Sequence, residues 1–88
     1  MRIHVHRTGG FSGIDRRAEI DTAGRDDADD LRSLADKAVA TARSEPPTGV
    51  PDGFSYRITV DGRTVYCADP RLTDEQRTLV SKVLKEGS

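Results

Sequence analysis

The sequence is poor in the features that mark several large classes of protein. It has one cysteine, no tryptophan and only two phenylalanines and two tyrosines among 88 residues. A lone cysteine cannot form a disulfide within the chain, which excludes a disulfide scaffold and favours a reducing compartment. No apolar run approaches the ~20 residues of a transmembrane helix, and the alternating N-terminal residues lack the apolar core of a signal peptide. We therefore expect a soluble, cytoplasmic protein that forms one domain over residues 1–88.

An excess of charge of either sign is also missing. The 14 lysines and arginines nearly balance the 15 aspartates and glutamates, for a net charge of −1, and the two signs are interspersed. A protein that binds nucleic acid usually carries a basic patch or stripe. We therefore expect no nucleic-acid partner and no anionic membrane partner.

Alternation of apolar and polar residues predicts four strands. The strands cover residues 2–8, 14–21, 54–60 and 63–68. Asp61-Gly62 is a typical two-residue hairpin turn between the last two strands. The alternation places Phe54 and Tyr56 on the core face of the third strand.

Two segments with apolar residues three and four positions apart predict helices. The first covers residues 27–44, where Asp26 or Asp27 is the expected N-cap and further aspartates occupy the first turn. The second starts at Thr73 and Gln76, which have the spacing of a capping box, and runs to about Lys85. The acidic start of the first helix thus has a structural explanation.

The element order ββαββα predicts an α+β fold, in which a four-stranded antiparallel sheet carries two helices on one face. The strand directions bring three irregular segments to one edge of the sheet, which we call the loop edge. These segments are residues 9–13, 46–53 and 69–72. Since binding residues concentrate on loops that a rigid scaffold positions, the loop edge is the predicted functional face.

The first of these segments places an aromatic residue among glycines. The sequence from Thr8 is Thr-Gly-Gly-Phe-Ser-Gly-Ile, and three glycines in five positions exceed what a hairpin turn needs. Phe11 has no neighbours that could form a core around it, so we expect its side chain to be presented. A presented aromatic side chain is a candidate for binding another protein.

The motifs of enzymes are largely missing. The glycine-rich segment fits neither phosphate-binding fingerprint, and a strand follows it where those motifs require a helix. Ser12 lies between glycines, but a nucleophile elbow needs a strand-to-helix turn. Cys67 alternates with Val65 and is expected to face the core as a small apolar residue. We therefore predict no catalytic residue and no cofactor.

Two histidines have a spacing that metal sites also use. His4 and His6 lie on the same face of the first strand, and Glu19 or Asp21 on the next strand could add a ligand. Zinc requires at least three protein ligands, usually including more histidines or cysteines. We expect these histidines to be structural or solvent-facing, without a metal, although a metal or ligand role for the pair stays open.

Two segments of the sequence resemble the emfourins, proteinaceous inhibitors of thermolysin-like metallopeptidases. The segments are Arg7-Thr8-Gly9-Gly10-Phe11-Ser12-Gly13-Ile14, followed by Ile20-Asp21-Thr22, and Pro51-Asp52-Gly53-Phe54-Ser55-Tyr56 with Ile58 and Val60. The terminal helix behind a short loop is also similar. The resemblance covers most of the chain.

The resemblance implies a cytoplasmic inhibitor that protects its producing cell from its own zinc peptidase. Thermolysin-like enzymes prefer a bulky apolar residue just after the scissile bond, and Phe11 suits that pocket. The expected partner-binding residues are Gly9, Gly10, Phe11, Ser12, Gly13, Val50, Pro51 and Asp52. The first of these segments has no thiol, carboxylate or imidazole, so occlusion of the cleft is expected instead of zinc ligation. The alternative is a small non-catalytic interaction module that uses the same loop edge. The oligomeric state stays open.

Overall fold

The structure is a computed structural model that describes residues 1–9, 15–45, 53–68 and 71–87. Its elements are β1 (Arg2–Gly9), β2 (Arg16–Asp21), α1 (Ala28–Thr41), β3 (Phe54–Val60), β4 (Arg63–Ala68) and α2 (Asp74–Glu86). The predicted ββαββα order and α+β class are confirmed. Neither helix in the described ranges has the length and apolar character needed to cross a membrane.

The four strands form one antiparallel sheet in the order β2-β1-β3-β4. β1 and β3 are the central pair, although a strand and a helix separate them in the chain. Their register runs from Ile3 opposite Val60 to Gly9 opposite Phe54. The pairing of β1 with β3 therefore joins the two ββα halves into one sheet.

Every second residue of each strand faces the helices, and most of the apolar residues on that face form the core. Ile3, Val5 and Ile58 are fully buried, and Tyr56 is buried as predicted. Phe54 packs against the edge of this core and is half-buried. The helices complete the core with Leu31, Ala35, Ala38, Val39, Leu79, Val80, Val83 and Leu84. The opposite face of the sheet carries polar residues along most of its length.

α1 ends earlier than predicted, at Thr41 instead of residue 44. The reason is a pairing distant in sequence. The Arg43 amide donates to the Tyr66 carbonyl at 3.1 Å, and the Tyr66 amide donates to the Arg43 carbonyl at 2.7 Å. Arg43 thereby satisfies backbone groups on the outer side of β4, where an edge strand would otherwise leave them open.

The N-cap of α1 lies at one of the two predicted residues but lacks the expected capping hydrogen bond. Asp27 occupies the N-cap position, but its side chain makes no capping hydrogen bond. Its carboxylate instead belongs to a closed ring of alternating charges with Arg25, Lys82 and Glu86. Arg25 contacts Asp27 and Glu86 at 2.8 Å each, and Lys82 contacts them at 3.2 and 3.4 Å. The ring ties the start of α1 to the last turn of α2.

The ring shifts the pKa of each of its members toward the charged form. Hydrogen bonds from Arg25 lower the pKa of Asp27 and of Glu86 below their usual values. Hydrogen bonds to Asp27 raise the pKa of Arg25 and of Lys82. All four side chains are part-exposed, so solvent weakens each pair and the benefit comes from their closure into a network.

The predicted capping box of α2 is confirmed, and it extends into a contact with α1. Thr73 Oγ1 accepts from the Gln76 amide at 3.1 Å, and Gln76 Oε1 accepts from the Thr73 amide at 3.0 Å. Gln76 Nε2 also donates to the Ala38 carbonyl at 3.2 Å and to Thr41 Oγ1 at 3.0 Å. Gln76 is buried, so one side chain both caps α2 and links it to the end of α1.

Replacement of Gln76 tests this link. Gln76→Ala leaves the Thr73 amide without its cap and removes the buried donor to Ala38, which costs about 1–3 kcal/mol in the free energy of unfolding. Urea denaturation measures it. Arg77→Ala, at the exposed neighbouring position, is the matched control and should change stability by less than about 0.5 kcal/mol. Equal effects of the two substitutions would contradict the proposed link.

The charge ring predicts a specific loss of stability in acid. Asp27 and Glu86 have lowered pKa values in the folded state, against about 3.9 and 4.3 for the unfolded groups. Their contribution to the free energy of unfolding is therefore fully present above about pH 5. It is lost as the pH falls below about 4, toward the pKa values of the folded state. Asp27→Asn should show a smaller fall in melting temperature between pH 7 and pH 3 than the parent protein.

Asp26→Asn is the control for that measurement, because Asp26 is exposed and stands outside the ring. Between pH 7 and pH 3, its melting temperature should fall as steeply as that of the parent protein. If Asp27→Asn and Asp26→Asn behave alike, the ring does not carry the acid response.

Candidate partner-binding site

The register of the sheet brings the ends of three neighbouring strands together at the loop edge. Gly9, the last residue of β1, lies opposite Phe54, the first residue of β3. Ala68, the last residue of β4, lies opposite Ser55. Neighbouring strands lie roughly 4.8 Å apart. The points where the three irregular segments leave and join the sheet are therefore close together.

Most of the predicted binding residues lie outside the described ranges. Gly10, Phe11, Ser12 and Gly13 belong to that group, as do Val50, Pro51 and Asp52. Gly9 is described, and so are Asp15, Glu45 and Gly53, the residues that flank these segments. Glu45 lines a cleft of about 230 Å³ together with Ala68 and Arg71. The described flanks of both predicted binding segments thus lie at the loop edge, and the segments themselves stay a prediction.

Gly9 has a structural role at this edge. Its φ is +96°, a conformation that side chains rarely adopt. A Cβ atom on Gly9 would lie 3.1 Å from the Gly53 carbonyl oxygen. The glycine therefore lets the end of β1 and the start of β3 approach closely.

Arg7 supports the same part of the sheet. Its guanidinium carbon lies 4.3 Å from the centroid of the Phe54 ring, a cation–π contact between β1 and β3. Because alternate residues of a strand share a face, the sequence could have indicated that Arg7 lies on the core face with Ile3 and Val5. The contact itself depends on the strand order, which the sequence pattern does not specify.

His6 connects three segments on the opposite face of the sheet. Arg57 Nη2 lies 3.2 Å from His6 Nδ1, and Asp15 Oδ2 lies 3.5 Å from His6 Nε2. Because a guanidinium can only donate, Nδ1 is the acceptor of this hydrogen bond, whereas Nε2 is buried near the carboxylate without a hydrogen bond to any described residue. His6 thereby links β1 and β3 to the residue that precedes β2. It has the structural role that we expected for it.

The other residues considered for a metal or chemical role are His4 and Cys67. His4 lies away from the loop edge, and Cys67 packs against the core. His4 lines an open cleft of about 630 Å³ with Glu19, Asp21 and Asp61, toward the opposite edge of the sheet. In the described ranges, no group of three histidine, cysteine, aspartate or glutamate side chains could hold a metal ion. Cys67 is half-buried and packs against the core, as predicted.

Comparison of two glycines tests the close approach at Gly9. Gly24 also has positive φ, at +79°, but no atom lies within 4 Å of a Cβ placed there. Gly24→Ala should cost about 1 kcal/mol through backbone strain alone. Gly9→Ala should cost about 2 kcal/mol, since the contact with Gly53 adds to that strain. Thermal or urea unfolding measures both, and equal costs would show that the approach to Gly53 is unimportant.

The sequence was also compared with known proteins. Residues 5–84 match the family model described as Emfourin. Comparison with curated proteins and with solved structures gives no significant match. The matched range runs from the first half of β1 to the last turn of α2 and includes the whole loop edge. The chain therefore belongs to the Emfourin family.

Proposed function

We propose that this protein inhibits a thermolysin-like zinc metallopeptidase by filling its active-site cleft with the loop edge. Membership of the Emfourin family supports an inhibitory, non-enzymatic role. The observation that carries the mechanism is the register that gathers Gly9, Phe54 and Ala68 at one edge of the sheet. Both predicted binding segments are attached to that edge.

Phe11 is the residue that we assign to the pocket for the bulky apolar side chain after the scissile bond. The glycines around it would let the backbone enter a narrow cleft. Val50, Pro51 and Asp52 would then contact the rim of the cleft from the neighbouring segment. The contacts of Arg7, His6 and Gly9 hold the base of these segments in place. A pre-organised base reduces the entropy lost on binding.

The proposed setting is the cytoplasm of the cell that makes the peptidase. A protein with one cysteine and no disulfide is suited to a reducing compartment. There the inhibitor would neutralise peptidase that becomes active before export. No group of the inhibitor needs to ligate the catalytic zinc in this mechanism.

The direct test is to titrate a thermolysin-like peptidase, preferably from the same genome, with the purified protein. Residual peptidase activity should fall linearly and reach its minimum near one equivalent of inhibitor. Unchanged activity of several such enzymes would contradict the proposal. Capture of a partner that is not a metallopeptidase would then favour the general interaction module.

Substitution of Phe11 tests the assignment of the pocket. Phe11→Ala should raise the inhibition constant at least about thirtyfold, because truncation of a central aromatic anchor typically costs about 2 kcal/mol or more. Phe11→Leu is the matched control, which keeps a bulky apolar side chain and should lose less than about tenfold. If Phe11→Ala inhibits as tightly as the parent protein, another residue occupies the pocket.

A further inference from the structure

A cleft beneath the loop edge, on the helix side of the sheet, gathers positive charge. It has a volume of about 380 Å³. It lies between the second half of α2 and those ends of β1, β2 and β3 that are nearest the loop edge. Three of the described residues that line it are cationic: Arg7, Arg16 and Lys85. None of the described lining residues is a carboxylate, and Ser81 adds a hydroxyl group.

The sheet itself holds two of these cations side by side. Arg7 and Arg16 are directly opposite each other in the β1–β2 register. Both project toward the helices, because Val5 and Ala18, two positions away on the same strands, are core residues. Like charges directly opposite on one face of an antiparallel pair destabilise the sheet.

Within the described part of the chain, these three cations have no carboxylate partner, and the two arginines contact neutral groups. Arg16 Nη2 donates to the Leu84 carbonyl at 2.9 Å, one of the carbonyls that the end of α2 leaves open. Arg7 stacks on Phe54, but its Nε atom is buried and has no hydrogen-bond partner. Neither Arg7 nor Lys85 forms an ion pair with another described residue. A buried guanidinium nitrogen without an acceptor is costly unless a ligand supplies one.

We propose that this cleft, which we call the oxyanion cleft, binds a phosphate or carboxylate group. The group would ion-pair with the Arg7 guanidinium and with Lys85, while Arg16 stays on the helix carbonyl and adds its charge. Guanidinium groups are suited to oxyanions because their N–H groups match the geometry of two oxygens. A free ion and an acidic side chain of a protein partner present the same chemistry to the cleft, and the experiment below distinguishes them.

The test uses the protein alone and inorganic phosphate as the probe. Phosphate should produce saturable shifts of the backbone amide NMR signals of Arg7, Ser81 and Lys85 when the ionic strength is held constant with chloride. Arg7→Gln should weaken phosphate binding at least about tenfold. Lys85 is exposed on α2, and Lys85→Gln should weaken phosphate binding severalfold. This second variant keeps the test valid if Arg7→Gln folds poorly.

Arg17→Gln is the matched control. Arg17 is the next residue after Arg16, is exposed and faces the other side of the sheet. The Arg17→Gln substitution removes the same charge, and its affinity for phosphate should stay within about twofold of that of the parent protein. The proposal is overturned if phosphate gives no saturable shift in the parent protein. It is also overturned if Arg17→Gln weakens binding as much as both cleft variants do.

A second arm distinguishes the two sources of the oxyanion and rests on the proposed function. If an acidic side chain of the peptidase occupies the cleft, phosphate should weaken inhibition by the parent protein but not by Arg7→Gln. If a free ion is the ligand, phosphate should leave the inhibition constant unchanged. Binding of phosphate to a protein that inhibits no peptidase would support the cleft and contradict only the proposed function.

Discussion

The pairing of β1 with β3 is the interaction on which the rest of the structure depends. Each ββα half has only two strands, and an isolated two-stranded hairpin is marginally stable in water. The register from Ile3–Val60 to Gly9–Phe54 places the most deeply buried strand residues of both halves in one core. It also fixes where the irregular segments leave the sheet. The loop edge is therefore a direct consequence of the pairing that stabilises the fold.

The helices make this sheet a rigid support for the loop edge. Gln76 links the start of α2 to the end of α1, and the charge ring links the end of α2 to the start of α1. The two helices are thus fastened to each other at both ends. Arg16 adds a contact from β2 to the Leu84 carbonyl of α2. Such a scaffold itself loses little freedom on binding, which suits the proposed occlusion of a peptidase cleft.

Much of the fold was predictable because its signals are local. Alternation reported strands and their faces, and the spacing of Thr73 and Gln76 reported the start of α2. The strand order was not predictable, because alternation identifies the buried face of a strand and not its neighbours. The end of α1 was missed for a similar reason, since Arg43 pairs with Tyr66 at the outer edge of β4. Asp27 likewise joins a ring that includes Lys82 and Glu86, which no local pattern indicates.

The position of the loop edge was predictable to a similar degree, whereas the binding residues on it stay a prediction. Strand directions alone indicated that the segments share one edge, and the register brings together the described strand ends Gly9, Phe54 and Ala68 at that edge. The support of that edge was not predicted, because the contacts of His6 with Arg57 and of Arg7 with Phe54 both cross from β1 to β3. The cluster of Arg7, Arg16 and Lys85 also required the register and the packing of α2. Residues that meet across elements were thus the part that sequence reasoning missed.

The most direct test of the account is hydrogen–deuterium exchange of the inhibitor with and without a thermolysin-like peptidase. The account predicts slower exchange in residues 9–15 and 45–53 when the peptidase is present. It also predicts unchanged exchange in residues 21–27 and 61–62, at the opposite edge of the sheet. Protection confined to the opposite edge would contradict the claim that the loop edge enters the cleft.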